Sequence, residues 1–416
     1  MLWLAFTALW SPASAMAGAL TAFCVVVAAR RLVPGLAVLA FAVVVNLPWL
    51  VPSFVAGGRI DSPGEQFEAF AARAESGAGL LASVGSLGGI WKASVVPPER
   101  TVALVVLLSC VSTLLALAAL WRTRRTTDAT VRTTRLGLLG LALAVVGLTV
   151  LPAVPFLTDA FDAAADRVTA VAALRDGHRF LGPAVLVLLP GIAVVADRVW
   201  AAARTGREAL RAVAVLVVLL PALCLPSMAW GLGGELRAVT YPAEWFRAAQ
   251  VVEDDLEERG GSTVVLPWTG TYRGFDWNDS RAQLDPAPRF FAGEVLIDDR
   301  VYLDEDTVLA NEDDRLAAVT DALAAGDPTA ELAALGVGRV LVEKGNGVAA
   351  DEVPPGRVLH DGRGLTVVAI EDPAAVDPGA GRHRNLVIAG DLVAGLVAGL
   401  ACLAAVACVL RRRPVW

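Results

Sequence analysis

Apolar positions in this chain fall into long unbroken runs, with polar residues gathered between them. Seven runs approach the length of about 20 residues that a bilayer crossing needs. They lie near 8–29, 34–56, 102–121, 136–156, 180–197, 212–232 and 386–410, and each predicts a membrane-spanning helix. Ser11-Pro12 interrupts the first, and Pro183 and Pro190 predict a kink in the short fifth. Ala13-Ser14-Ala15 has the form of a cleavage site. Yet no basic leader precedes it and apolar sequence continues to Arg30, so a helix is preferred over a signal peptide.

Between the sixth and seventh runs the period shortens. Pro242 stands at a helix start, with Trp245, Ala249, Val252 and Leu256 at helical spacing and Gly260-Gly261 as the stop. Thr263 to Leu266, Gly338 to Glu343 and Leu365 to Ile370 predict strands, while Asp314 to Ala325 and Ala330 to Leu335 predict helices. The expected architecture is a polytopic α-helical membrane protein of about seven spans carrying an extracytoplasmic α/β domain. Its parts are a transmembrane domain (1–232), the α/β domain (233–385), and a last helix with a basic tail (386–416). Sheet order is not readable at this level.

Composition supports the membrane assignment. Of 416 residues 56% are hydrophobic and only 19% charged, with mean hydropathy +0.60. Charge then orients the spans. The segments after spans one, three, five and seven hold fourteen Arg against three acids (Asp128, Asp197 and Glu208). The positive-inside rule places these in the cytoplasm. Loops 57–101 and 157–179 and the segment 233–385 then face outward, and the C-terminus faces in. This puts Met1 outside with no charged leader, which predicts further helices upstream. Segment 233–385 is acidic, with 29 acidic and 14 basic residues. That balance argues against a nucleic-acid partner.

The five Cys all lie in apolar runs and predict small buried hydrophobes, not disulfides or metal thiolates. The three His are scattered. No Walker loop, nucleophile elbow, HExxH or CxxC motif occurs, and no dinucleotide fingerprint. Asp391 is an ionisable residue within the last span, close to its outer end.

Three outer stretches carry candidate chemistry. In loop 57–101, GEQFEAFAARAES predicts an amphipathic surface helix with Phe67 and Phe70 on one face, followed by GGIWK with Trp91 and Lys92. In loop 157–179, LRDGHRF clusters Arg175, Asp176, His178 and Arg179 where the chain re-enters the membrane, a place suited to a lipid-linked phosphate. The same residue types also form ordinary interfacial flanks. In the α/β domain, LPWTGTYRGFDWNDSRAQLDP supplies Trp268, Tyr272, Arg273, Asp276, Trp277, Asn278 and Asp285, with Arg289 just beyond. Aromatic faces beside carboxylates and amides suit sugar rings, and arginines suit phosphate. Tryptophans also anchor domains at the headgroup level, and Asp-Arg pairs also brace loops.

NLPWLVPS (Asn46 to Ser53), GGIWK, LRDGHRF, YPAEW (Tyr241 to Trp245), LPW…YR…WN, LDPAPRF and LGVGRVLVE (Leu335 to Glu343) run in order over most of the chain. In these words the chain resembles the C-terminal part of actinobacterial GT-C type membrane glycosyltransferases, arabinofuranosyltransferase-like proteins of the cell envelope. The resemblance implies transfer of a sugar from a polyprenyl-phosphate donor to an envelope glycan or lipid acceptor, usually with a divalent metal. Catalytic carboxylates in that family lie in the first outer loop. No acidic motif near Met1 matches them, so no residue here inherits that role, Asp61 and Glu65 included. The alternative is a non-catalytic membrane accessory or scaffold whose outer domain binds an envelope protein. A transporter is disfavoured, because the spans show no paired broken helices.

Overall fold

The structure, a computed structural model, describes residues 2–8, 12–55, 66–167, 169–204, 209–234, 236–302, 308–309, 311, 313–346, 353–375 and 380–411. The chain divides into a helical unit reaching residue 236 and resuming at 380, and an α/β unit, Arg237–Gly379. These boundaries fall a few residues inside those read from composition.

The helical unit contains α1 (Leu2–Ala8), α2 (Pro12–Ala28), α3 (Leu32–Val45), α4 (Leu47–Val55), α5 (Gln66–Ala69), α6 (Leu80–Gly85), α7 (Ala103–Thr123), α8 (Ala129–Val150), α9 (Pro155–Arg167), α10 (Val185–Ala203), α11 (Ala209–Leu223), α12 (Ala229–Gly234) and a C-terminal helix, Ala380–Arg411. Among the described residues four helical stretches are long and apolar enough to cross a membrane: Ala103–Thr123, Ala129–Ala153, Gly177–Ala203 and Arg384–Ala407. Two bent pairs, Val33–Val45 with Leu47–Val55 (62°) and Ala209–Leu223 with Pro226–Gly234 (67°), bring the number to six if each is one span, and they are broken helices of the kind that the sequence did not show. Of the first expected run, 8–29, the described part is α2, Pro12–Ala28, and residues 9–11 before it lie outside the described residues.

Small residues let these helices approach closely. A Cβ on Gly191 of α10 would lie 2.6 Å from the Ala116 Cα of α7, and one on Gly137 of α8 would lie 2.8 Å from the Val25 Cα of α2. Leu120, Leu138, Leu141, Val145, Leu181 and Val187 fill the core between α7, α8 and the start of α10. Leu104, Leu143 and Leu189 are exposed, as lipid-facing positions would be.

One expectation for this unit fails. The stretch GEQFEAFAARAES forms a single described turn, α5, and no long surface helix. Phe67 and Phe70 are 0% and 7% exposed, so the face meant for the bilayer is buried in protein. Phe67 stacks on Phe161 at 5.2 Å and Phe70 meets Trp91 edge-on at 4.9 Å. Burying two aromatic rings outweighs what a few more helical residues contribute.

The α/β unit holds a five-stranded sheet of order β4-β1-β7-β9-β8, with β1 Ser262–Leu266, β4 Val295–Leu296, β7 Val337–Glu343, β8 Arg357–Asp361 and β9 Leu365–Ala369. β4, β1 and β7 are parallel, while β9 and β8 run antiparallel at the other side. Two small hairpins, β2 (Tyr272–Arg273) with β3 (Gln283–Leu284) and β5 (Val301–Tyr302) with β6 (Val308–Leu309), decorate the sheet. Successive strand residues face opposite sides. Val265, Leu341 and Val367 therefore meet Trp245, Ala248 and Val252 of α13 (Ala243–Arg259). Val264, Leu266, Val340 and Val342 meet Val319 of α15 (Asp314–Leu323) and Leu332 of α16 (Pro328–Ala334). A further single turn, α14 (Ala287–Phe290), closes the run after β3. Covering on both faces explains why β1 and β7 are buried throughout. Helix α13 runs from Pro242 to Gly260, as its sequence predicts.

Candidate functional site

The helical unit brings two of the three candidate stretches together. Loop 66–101 leads into α7, and segment 151–184 joins the end of α8 to the start of α10, so both lie at one end of the bundle. Their meeting is direct. Phe67 N–H donates to Asp162 Oδ1 (3.2 Å), and the Arg175 guanidinium lies 4.8 Å from the Phe70 ring centroid. Phe70 in turn touches Trp91, and the Lys92 Nζ lies 5.9 Å from the Trp91 ring. Trp91, Lys92 and Arg175 thus share one aromatic-cationic cluster.

Beneath it is an ion pair that the sequence reading missed. Arg100 Nε donates to Glu75 Oε2 at 2.6 Å, with only 6% and 2% of the two side chains exposed. Glu75 Oε1 accepts from Gly89 N–H (2.7 Å), and Arg100 also donates to Ser86 Oγ (2.9 Å) and the Ser86 carbonyl (3.1 Å). A Cβ at Gly88 would fall 1.9 Å from Arg100 Nη2 and 2.3 Å from Glu75 Oε2. That close approach explains the glycine preceding Trp91. Glu75 and Arg100 stand 25 residues apart in a loop with other charges, so spacing gave no signal of their pairing.

The last four residues of LRDGHRF open a 3₁₀ segment, Gly177–Ala184, leading into α10. Thr149 Oγ1 of α8 donates to the Gly177 carbonyl (2.9 Å) and pins it. Asp176 pairs with Arg179 at 2.9 Å, while the Arg179 side chain remains 61% exposed. Asp176 Oδ1 and His178 Nδ1 are buried without a hydrogen-bond partner among the described residues. Most buried polar atoms in folded proteins find a partner, so these two have bonding capacity to spare.

The third stretch is placed differently. It follows β1 at the C-terminal end of the parallel strands, where open α/β sheets hold ligands. Yet much of it turns inward. Arg273 is 3% exposed. It donates to Glu343 Oε2 (3.1 Å) and the Gly270 carbonyl (2.8 Å), and its Nε lies 3.6 Å from Asp285. Asn278 is buried and accepts from Phe275 N–H (2.8 Å), and Asp285 is buried and accepts from Ala287 N–H (2.8 Å). Trp277 stacks on Phe275 at 4.9 Å inside an aromatic cluster with Tyr241 and Trp245. Trp268 packs against the sheet and donates to Thr320 Oγ1 (2.8 Å). Tyr272, Asp276 and Arg289 are exposed. The aromatic content of this run mainly builds the core of its unit, and an arriving ligand meets those three exposed side chains first.

Glu343 and Asp285 form a buried carboxyl pair around Arg273, which sequence spacing could not reveal. Burial, and then the neighbouring Asp285, push the Glu343 carboxyl up to about 9, with Arg273 opposing. Burial likewise raises Asp285, against its backbone bond from Ala287 and the charge of Arg273. Among the described residues Asp285 Oδ2 and Glu343 Oε1 accept no hydrogen bond, and a proton held on Glu343 supplies one between them. The consequence for stability has a definite sign. The unfolded Glu343 ionises near its ordinary value of 4.5, while the folded one keeps its proton to about 9. Folded protein binds the extra proton, so stability falls as pH rises across that window. Glu343→Gln should remove this fall, shown by pH-dependent melting of the whole protein in detergent. A wild-type melting curve flat between pH 5 and pH 9 would count against a protonated Glu343.

Comparison with protein-family models, curated proteins and solved structures finds no match for this chain. A divalent metal finds no fitting donor set either. Among the described residues no group of three or more His, Cys, Asp or Glu side chains is placed to hold an ion. The Asp285–Glu343 pair is already engaged by Arg273. Asp61 and Glu65 lie outside the described residues.

Proposed function

We propose that the chain is the membrane and α/β portion of a GT-C-like glycosyltransferase, serving envelope glycan assembly with a polyprenyl-phosphate-linked sugar. It would sit as a multi-pass protein of the plasma membrane, with the α/β unit outside and the C-terminus in the cytoplasm. The observation that supports this most is the convergence of Trp91 and Lys92 with Arg175 at one end of the helical bundle, beside Asp176, His178 and Arg179. Cations over an aromatic floor suit a phosphate joined to a sugar. Arginine supplies charge-assisted donors, the ring supplies a stacking face, and His178 carries a further polar nitrogen. The membrane span beginning at Gly177 brings an isoprenoid tail within reach. The residues named bind and orient; none is assigned the catalytic base.

The experiment is binding of a polyprenyl phosphate to the full chain in nanodiscs. Arg175→Ala/Arg179→Ala should weaken it roughly tenfold or more, as expected for loss of charge-assisted hydrogen bonds. Unchanged binding removes the assignment. A second reading, a non-catalytic scaffold, is favoured by the inward turn of Arg273, Asn278 and Asp285, which leaves the α/β unit an acidic surface suited to a protein partner. Wild-type protein that binds no polyprenyl phosphate at all would select it.

A further inference from the structure

We propose a second anion site, for the headgroup of an acidic membrane phospholipid, in the turn between α7 and α8. That turn lies at the end of the bundle opposite the Trp91–Arg179 cluster, since α7 alone spans 21 residues, about 30 Å. Here the chain forms a concave site of about 470 Å³ lined by Arg124, Arg125, Thr126, Thr127, Arg132 and Leu136. An excess of arginine near a membrane is expected from topology alone. What goes further is its arrangement.

Arg132 and Leu136 stand four residues apart on α8, hence on one face, with a cation toward the turn and an apolar wall toward the helix body. The one acid of the turn forms no ion pair with the arginines of the pocket among the described residues. Asp128 is spent as the N-cap of α8, accepting from Thr130 N–H (2.8 Å) and Val131 N–H (3.1 Å). Arg124 is held flat, its guanidinium 3.3 Å from the Trp121 ring centroid and donating to the Trp121 carbonyl. Arg135 is tied to the Thr123 carbonyl, which braces the turn from α8. The side chains of Arg125 and Arg132 have no carboxylate partner among the described residues.

A lipid is favoured over a free anion because the pocket has an apolar side. Leu136 lines it, and Trp121, 54% exposed, borders it through Arg124. A phosphodiester bearing acyl chains satisfies both parts: phosphate oxygens meet the guanidinium groups and threonine hydroxyls, and the chains follow the exposed apolar flank of α8.

The test uses the full chain in detergent, titrated with dioleoyl phosphatidylglycerol and read by native mass spectrometry. Arg125→Gln/Arg132→Gln should bind roughly thirtyfold more weakly, about fivefold for each cation removed near a lipid phosphate. Arg198→Gln/Arg211→Gln, which removes the same charge from exposed positions outside the pocket, should bind like wild type. Arg125→Lys/Arg132→Lys should keep most of the binding, which also shows that substitution there leaves the fold intact. The proposal is overturned if both glutamine pairs lose binding equally, or if neither does. It is also overturned if dioleoyl phosphatidylcholine binds as tightly, or if inorganic phosphate displaces the lipid at equal concentration, which would make this a site for free phosphate.

Discussion

Arg100→Leu is expected to destabilise the helical unit by about 3–5 kcal/mol, the range for stripping one partner from a buried ion pair. Glu75 would be left almost wholly enclosed, and the hydrogen bonds that remain to its carboxylate come from the Gly89 and Ile90 N–H groups. Arg100 also ties the Ser83 and Ser86 carbonyls, so the end of α6 and the GGIWK turn lose their anchor together. Loss of polyprenyl-phosphate binding should accompany the loss of stability, because Trp91 and Lys92 hang from that turn. The double variant Glu75→Gln/Arg100→Met should recover much of the stability, since a buried pair replaced as a whole costs far less than one broken in half. Thermal unfolding in nanodiscs measures both. A loss under about 1 kcal/mol for Arg100→Leu would mean that the pair is solvated and contributes as surface pairs do.

Arg339→Met should also damage the α/β unit, at about 1–3 kcal/mol for each buried acceptor that it leaves without a donor. Arg339 is fully buried in β7. It donates to Asp255 Oδ2 (2.8 Å), Thr263 Oγ1 (3.2 Å) and the carbonyls of Gly260 and Gly261. One side chain thereby joins α13, its terminating glycines, β1 and β7. Asp255 keeps its bonds from Arg259 at 2.6 and 2.7 Å, so its charge is not abandoned, but the strand-to-helix tie is. Acid stability gives a second readout. Burial works to raise the Asp255 carboxyl, yet the bonds from Arg259 and Arg339 outweigh it and hold it below its ordinary 3.8. A depressed carboxylate contributes stability above the unfolded value and loses it as pH falls through the folded one. The acid limb of the melting profile should therefore be shallower in Arg339→Met. An acid limb identical to wild type would show that Arg259 alone holds Asp255.

Much of this architecture is legible along the chain. The runs at 102–121 and 386–410 are helices because an apolar segment of that length satisfies its backbone only by coiling on itself. Pro242 and Gly260 bound α13 because one lacks an N–H and the other takes φ +70. Strands β1, β7 and β9 follow from short apolar runs between breakers. All of these depend on residues within a turn or two of one another, and local sequence decides them.

Tertiary structure decided the rest. Phe67 and Phe70 look like a membrane-facing stripe until Phe161 and Trp91 arrive to enclose them. Arg273 looks like a phosphate ligand until Glu343, 70 residues later, takes it inside. The polar run 266–286 reads as surface by composition, yet Arg273, Asn278 and Asp285 are core. A polar side chain is buried when a complementary group meets it, and that partner comes from another element whose place no local period encodes. Sheet order and the meeting of loops 66–101 and 151–184 are of the same kind. Local hydrogen bonding and hydrophobic period are short-range and written in consecutive residues, whereas the pairing of charges and rings across the fold exists only once the chain has closed on itself.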